Sequence, residues 1–387
     1  MDRVYLDWNA TAPLHPEARE AMIAALDVGG NPSSVHGEGR AAHRLVEEAR
    51  AKVAMLVGAE PDQVAFTSGG TEANMLALTP ALTGAGNDTP RDRLLISAIE
   101  HPSVRSGGRF RASAVEEIPV RAAGVIDLDA LRAILAKGGR PLVSIMLANN
   151  ETGVIQPIAR AAQIVHDAGG LLHVDAVQGP GRIACDIEAV GADLLTISAH
   201  KLGGPKGVGA LIRRREALHI AEPLIKGGGQ ERGARAGTEN VAGIAGFGAA
   251  AEAGAKAIER EAAHMGALRD RLEAGLKRIS PDAVIFGSES ERLPNTTLFT
   301  ALGMKAETAV IAFDLDGVAV SSGAACSSGK VQPSHVLDAM GVEGAAARGA
   351  VRVSLGPTST ESDVESFLNA WIKLSESLRK GRQGMAA

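Results

Sequence analysis

The chain alternates short apolar runs with stretches in which apolar residues return every third or fourth position. Residues 64–67, 93–97, 142–147, 171–174, 194–197 and 208–212 are compact runs of strand length. Residues 16–26, 39–57, 71–78 and 158–168 carry the spacing of amphipathic helices. Strand and helix in this alternation predict an α/β layer, a mostly parallel central sheet with helices on both faces. Ligands of such sheets gather beyond the carboxyl ends of the strands, so the residues that follow these runs are where chemistry is expected. Residues 252–279 change to one long charged amphipathic helix, preceded at 241–251 by a Gly- and Ala-rich stretch that reads as a tightly packed helix. Strand-like runs resume at 295–299, 318–321 and 349–355, which predicts a second, shorter α+β unit.

One strand exit carries a lysine: Ser198-Ala199-His200-Lys201-Leu202-Gly203-Gly204 follows an apolar run directly. A lysine between a strand and a glycine-rich turn suits an amine that forms a Schiff base with a cofactor carbonyl. A second run, Leu171-Leu172-His173-Val174-Asp175, ends in an acid 26 residues upstream. A carboxylate there suits pyridoxal phosphate, whose pyridine nitrogen must stay protonated for the ring to accept electrons. Phe66-Thr67-Ser68-Gly69-Gly70-Thr71 runs from strand through paired glycines into a helix, an anion site made of backbone N–H groups and the Thr71 hydroxyl. It is neither a Walker loop nor a dinucleotide fingerprint, because the spacing of both is absent. The loop 227–240, with its glycines and charges, is either mobile or clamped by a partner.

Composition narrows the class. With 45% hydrophobic and 22% charged residues, 387 residues suffice for two substantial cores and exclude global disorder. A net charge of -5, with 2 Trp, 1 Tyr and 7 Phe, gives no reason to expect a nucleic acid. No apolar stretch approaches the ~18 residues of a membrane span, and the first residues lack a signal-peptide pattern, so the cytoplasm is the expected compartment. Two cysteines cannot build a disulfide framework or a four-thiolate metal site. Cys185 sits in an apolar context and reads as a small packing residue. Cys326 lies among small residues, Gly323-Ala324-Ala325-Cys326-Ser327-Ser328-Gly329, where a nucleophilic thiolate and an inert loop thiol both remain open.

Across these positions the chain resembles the cysteine desulfurases of the NifS/IscS type, fold-type I pyridoxal-phosphate enzymes of the class V aminotransferase superfamily. The resemblance runs through Tyr5-Leu6-Asp7-Trp8-Asn9-Ala10-Thr11, Thr67 to Glu72, Glu100-His101, Asn149 to Gly153, His173 to Gln178, Ser198 to Lys201, Arg235 to Asn240, the Cys326 segment and Arg352 to Gly356. It implies a large cofactor-binding domain over residues 16–258 and a small domain over 1–15 and 259–387 that carries the catalytic cysteine. By the same resemblance Lys201 would bind pyridoxal phosphate and carry the substrate's α proton, Asp175 would pair with the pyridinium, Gln178 with the phenolic oxygen, and His101 would stack on the ring and assist proton transfer. Gly70, Thr71, Ser198 and His200 would bind the phosphate, with Thr238 of a second subunit in a homodimer. Asn150 and Arg352 would hold the substrate carboxylate. The Cys326 thiolate would attack the sulfur of L-cysteine, leaving a persulfide and alanine. The implied sulfur acceptor is an iron–sulfur scaffold or another carrier protein. No resident metal is implied, and Cys326 is a candidate transient iron–sulfur ligand. Trp8 and Ala12 depart from the family's usual residues, and both are expected near the site entrance. A selenocysteine lyase or other class V lyase is the enzymatic alternative, and a non-catalytic sulfur-pathway scaffold the remote one.

Overall fold

The computed structural model describes residues 3–84, 89–323 and 334–386, with side chains through Arg379. Cys326 lies outside the described residues. Seven strands form the main sheet: β1 (Val64–Thr67), β2 (Arg93–Ser97), β3 (Val115–Ile118), β4 (Pro141–Met146), β5 (Leu171–Asp175), β6 (Leu194–Ser198) and β7 (Gly209–Arg213). Their spatial order is β1-β7-β6-β5-β4-β2-β3. The run from β6 to β3 is parallel, and β7 is antiparallel to both β6 and β1.

Each central strand buries both faces, which is why its sequence is a continuous apolar run rather than an alternating one. Leu95, Val143, Leu172 and Leu195 point to one core, and their neighbours Leu94, Leu142, Leu171 and Leu194 to the other. Helices Gly37–Leu56 and Ile158–Asp167 bring Val46, Val53, Ala161 and Val165 to the first core. Helix Gly70–Ala77 brings Ala73, Leu76 and Ala77 to the second. The expected layer of helices on both faces is therefore present.

A second, antiparallel sheet has four strands in the order β8 (Val284–Phe286), β9 (Thr296–Thr300), β11 (Val351–Ser354) and β10 (Ser321–Ser322). Its core stacks Phe299, Phe313, Phe367 and Trp371, the last two from the C-terminal helix Glu361–Ala386. The stretch expected as two helical pieces is one helix, Val241–Ile279, which places Ile244 and Phe247 in the first core and Leu268, Leu272 and Leu276 in the third. The N-terminal segment also spans both sheets. Val4–Tyr5 pairs with Val318–Ala319, Asp7 bridges to Ser354, and the Ala12 N–H donates to the His200 carbonyl at 2.8 Å. Among the described residues no helix is long and apolar enough to cross a membrane.

Candidate active site

Asp175 is the last residue of β5, Ser198 the last of β6, and a 3-10 turn, Ala199–Lys201, continues from β6. Because β5 and β6 run parallel, these ends open on the same edge of the sheet. A cavity of about 430 Å³ lies there, lined by Gly70, Thr71, His101, Asn150, Asp175, Gln178, Ser198, His200, Lys201 and Arg352. Of the nominated residues that the structure describes, Thr238 is missing from that wall. Thr238 lines a separate cavity of about 140 Å³ with Ser68, Gly207 and Arg235, and Cys326 lies outside the described residues.

Lys201 Nζ donates to the carbonyls of Asn9 at 2.6 Å and Ala10 at 2.9 Å. Among the described residues no carboxylate pairs with it; burial, with Arg352 and Arg182 nearby, pushes its pKa down to about 7. A substantial share of the side chain is then the free amine at neutral pH. Asp175 is buried, with Oδ2 accepting from Asn74 Nδ2 at 2.8 Å and Oδ1 from the Val177 N–H at 3.1 Å. The same Asn74 amide donates to Ser103 Oγ at 2.9 Å, and Ser103 Oγ lies 2.8 Å from His101 Nδ1. The Ser103 N–H also donates to Nδ1, which makes that nitrogen an acceptor and puts the ring proton of neutral His101 on Nε2. Burial lowers the His101 pKa, against the pull of Asp175 and with that of Lys201.

At the opposite end, β1 runs into Gly69 at φ 153° and the helix Gly70–Ala77 begins. A Cβ at Gly70 would stand 3.0 Å from Val177 Cγ2 and 3.4 Å from Ser198 Cβ, so glycine keeps the helix start open to a ligand. An adjoining cavity shares Gly70, Thr71, Ser198 and His200 and adds Ser68 and Lys206. Burial, then Lys201 and Lys206, hold His200 down to about 4, which leaves it a neutral hydrogen-bonding group.

The third wall belongs to the small sheet. Arg352 on β11 is buried, and donates from Nη1 to the Asn150 carbonyl at 2.9 Å and from Nη2 to Asp7 Oδ1 at 2.7 Å. Ser321 Oγ donates to the other oxygen of Asp7 at 3.0 Å. Two buried carboxyl groups flank this wall. Glu151 accepts from Ser334 Oγ at 2.5 Å and is pushed up to about 7 by burial. Glu100 accepts from the Met146 N–H at 2.6 Å and is raised well above the ordinary range, by burial first and Asp175 second.

Sequence reasoning missed Asp7, Asn9, Asn74 and Glu151 as site residues. Asn9 acts largely through its carbonyl, which holds both Lys201 and Gln178 and leaves no residue-type signal. Asn74 had one: a polar residue beside Ala73, Leu76 and Ala77 on the buried side of its helix. Trp8 and Ala12, expected near the site entrance, do not line the cavity of about 430 Å³; both line a cavity of about 230 Å³ that shares Lys201 with it, where the Trp8 ring packs on Gly356 so closely that a Cβ there would overlap it. Cys185 is buried, with its thiol pushed up to about 12 by burial, as expected of a packing residue.

Whether these residues fit pyridoxal phosphate can be tested on the polar atoms they leave over. Gln178 Oε1, Asn74 Oδ1 and Arg352 Nε are buried with no partner among the described residues, which is costly unless a polar ligand satisfies them. Together with the cradle at Gly70, a buried acid and an amine of lowered pKa, the donor set fits the group.

The fold and this amine, acid and anion cradle define a class of cofactor-dependent enzyme, and comparison with known proteins names it. The chain belongs to the aminotransferase class-V family, whose model matches residues 4–367. It is 44% identical to a cysteine desulfurase of Cereibacter sphaeroides, over 98% of this chain and 97% of that protein. It is 42% identical to the cysteine desulfurase IscS of Dictyoglomus turgidum, over 97% of this chain and 95% of that one. Among solved structures, a NifS-like protein from Rickettsia africae superposes with a TM-score of 0.88 at 38% identity, covering 97% of this chain and 99% of that one.

Proposed function

We propose that the protein is a pyridoxal-phosphate-dependent cysteine desulfurase that converts L-cysteine to L-alanine and passes the sulfur through Cys326 towards iron–sulfur cluster assembly. The observation that carries the reading is the meeting of Lys201, Asp175, His101 and the Gly70 turn in one cavity whose far wall is Arg352. Lys201 would hold the cofactor covalently, Asp175 its ring nitrogen, Gln178 its phenolic oxygen and His101 its ring face. Gly70, Thr71, Ser198 and His200 would hold its phosphate, completed by Thr238 of a second subunit in a homodimer. When bound, the cofactor supplies an electron sink that stabilises negative charge at the substrate's α carbon.

The chain's own groups do the rest. Arg352 and Asn150 bind the substrate carboxylate and thereby fix the α carbon relative to Lys201. Lys201 Nζ, an amine at neutral pH because its surroundings disfavour the charge, takes the α proton and can return it later. Neutral His101, with its proton on Nε2, is a second proton carrier on the same cavity wall. The Cys326 thiolate forms a bond to the substrate sulfur as the carbon–sulfur bond breaks. The thiolate sulfur becomes a persulfide, and the three-carbon fragment takes up protons and leaves as alanine. A sulfur-acceptor protein then receives the persulfide sulfur, in the cytoplasm on the same reading.

The division into a large domain of residues 16–258 and a small one of 1–15 and 259–387 is part of this proposal, supported by separate apolar cores around the two sheets. The deciding experiment is alanine formation from L-cysteine with a reductant present, on wild type and Cys326→Ala. The reading expects alanine from the wild type and a collapse in the variant with the yellow cofactor retained. Turnover that survives the substitution would favour a lyase, selenocysteine lyase included. A protein that cannot be loaded with the cofactor would favour the scaffold alternative.

A further inference from the structure

Arg352 does not wait for a substrate as a free cation. Its guanidinium has five N–H donors, of which one is donated to Asp7 Oδ1 at 2.7 Å and one to the Asn150 carbonyl at 2.9 Å, while Nε is buried without a partner among the described residues. Asp7 thus supplies the negative charge that keeps a buried arginine tolerable when no ligand is present. Its contact with Arg352 is single-toothed, although arginine and a carboxylate ordinarily close a two-toothed fork. Ser321, cross-strand neighbour of Arg352 in the β10–β11 ladder, donates its hydroxyl to Asp7 Oδ2 at 3.0 Å and so holds the carboxylate turned with one oxygen, Oδ1, on the guanidinium. Arg352 also lines the cavity, so its N–H groups not held by Asp7 and Asn150 are placed to meet a second carboxylate there.

Resting on the proposed function, in which Arg352 receives the substrate carboxylate, we propose that Asp7 is an internal counter-ion that the substrate must share, and that Ser321 is the brace which stops Asp7 from monopolising the arginine. Asp7 is then a tuning residue, and its effect is to weaken carboxylate binding. A site that both accepts an α-amino acid and releases another as product gains from an arginine whose charge is already half answered, because uniformly tight binding of both slows release without helping the chemistry. Ser321 works in the opposite sense by holding Asp7 at one contact.

The two roles predict substitutions of opposite sign. Asp7→Asn removes the competing charge and leaves a side chain of the same shape. Ser321→Ala removes the brace and frees Asp7 to fork onto Arg352. The probe is L-alanine, titrated into the cofactor-loaded protein and followed by the cofactor's visible absorbance, with KM and kcat for L-cysteine measured alongside. Asp7→Asn is expected to bind alanine at least about tenfold more tightly, since like charges a few ångströms apart in a protein repel strongly, with KM and kcat falling together. Ser321→Ala is expected to bind alanine about three- to tenfold more weakly, the size of one hydrogen bond.

A purely architectural Asp7 would give weaker alanine binding and a raised KM in Asp7→Asn, and that result overturns the proposal. So does Ser321→Ala with unchanged or tighter binding, which keeps the test alive if Asp7→Asn does not fold. Wild-type protein that makes alanine from cysteine while both variants bind like wild type would sink the counter-ion and leave the desulfurase standing. Loaded wild type that neither binds alanine nor produces it would take down both.

Discussion

At the scale of single residues, Lys201 shows how a strand end becomes reactive without any unusual neighbour in sequence. Among the described residues its ammonium is offered two carbonyl oxygens but no carboxylate contact, and burial disfavours its charge. Arg352 and Arg182 add to that, and its pKa falls from the ordinary 10.5 to about 7. Only the neutral amine can attack an aldehyde. Protein stripped of its cofactor is therefore expected to recapture pyridoxal phosphate at a rate that rises with pH and levels off just above about 7. Stopped-flow absorbance across the pH range checks this. A rate still climbing towards the ordinary lysine value would show that Lys201 is protonated at neutral pH. The residue types of this chemistry were legible in the chain because Asp175 ends an apolar run and Lys201 follows one within a few residues. Their supports were not, because the Asn9 and Ala10 carbonyls and the Val177 N–H are backbone groups that any residue supplies.

At the scale of elements, the sheet was legible because burial on both faces makes each central strand a solid apolar run. The antiparallel turn of β7 was not, since an apolar run reads the same in either direction. The long helix Val241–Ile279 was read in two pieces for a different reason: its composition changes from Gly- and Ala-rich to charged at Glu252, and the structure uses Gly246 and Gly248 for contact. A Cβ at Gly248 would stand 2.6 Å from the Ala49 Cα, and one at Gly246 would stand 2.5 Å from Met22 Cγ. The glycines let this helix lie directly on helices Pro16–Leu26 and Gly37–Leu56. Gly248→Ala sets two effects against each other. Alanine favours a helix by about 1 kcal/mol over glycine, whereas overpacking against backbone costs about 1–3 kcal/mol. Backbone cannot swing aside as a flexible side chain can, so the clash is expected to win and urea unfolding to show a net loss. A stabilised variant would mean that the two helices separate freely.

At the scale of the whole molecule, the site depends on pieces far apart in sequence, and the loop 227–240 is a clear case. Among the described residues, Glu231 and Arg232 are the non-glycine residues with positive φ, at 49° and 53°. Such backbone costs about 1–3 kcal/mol per residue and persists only where contacts over-determine it. Here they do: Glu231 accepts from Arg50 through both oxygens, at 2.6 and 2.9 Å, and from the Phe66 N–H at 2.8 Å. Further along the loop, Arg235 donates to Glu72 and Ser68 beside the phosphate turn. The loop is thus held by contacts within its own subunit, which is neither of the two options read from the sequence, mobile or clamped by a partner, and Thr238 rides on the held segment. Removing Glu231 leaves Arg50 buried with its charge largely unanswered, since Glu47 remains but Glu231 does not. Glu231→Ala is accordingly expected to lose about 3–5 kcal/mol in urea unfolding. Thr238→Val, in contrast, is expected to leave unfolding of the cofactor-free protein unchanged while cofactor is lost more readily on dialysis, because its proposed partner is a phosphate in the other subunit. If Thr238→Val retains cofactor like wild type, the cross-subunit contact is wrong. If Glu231→Ala keeps wild-type stability, the strained turn is held by something other than the Arg50 pair.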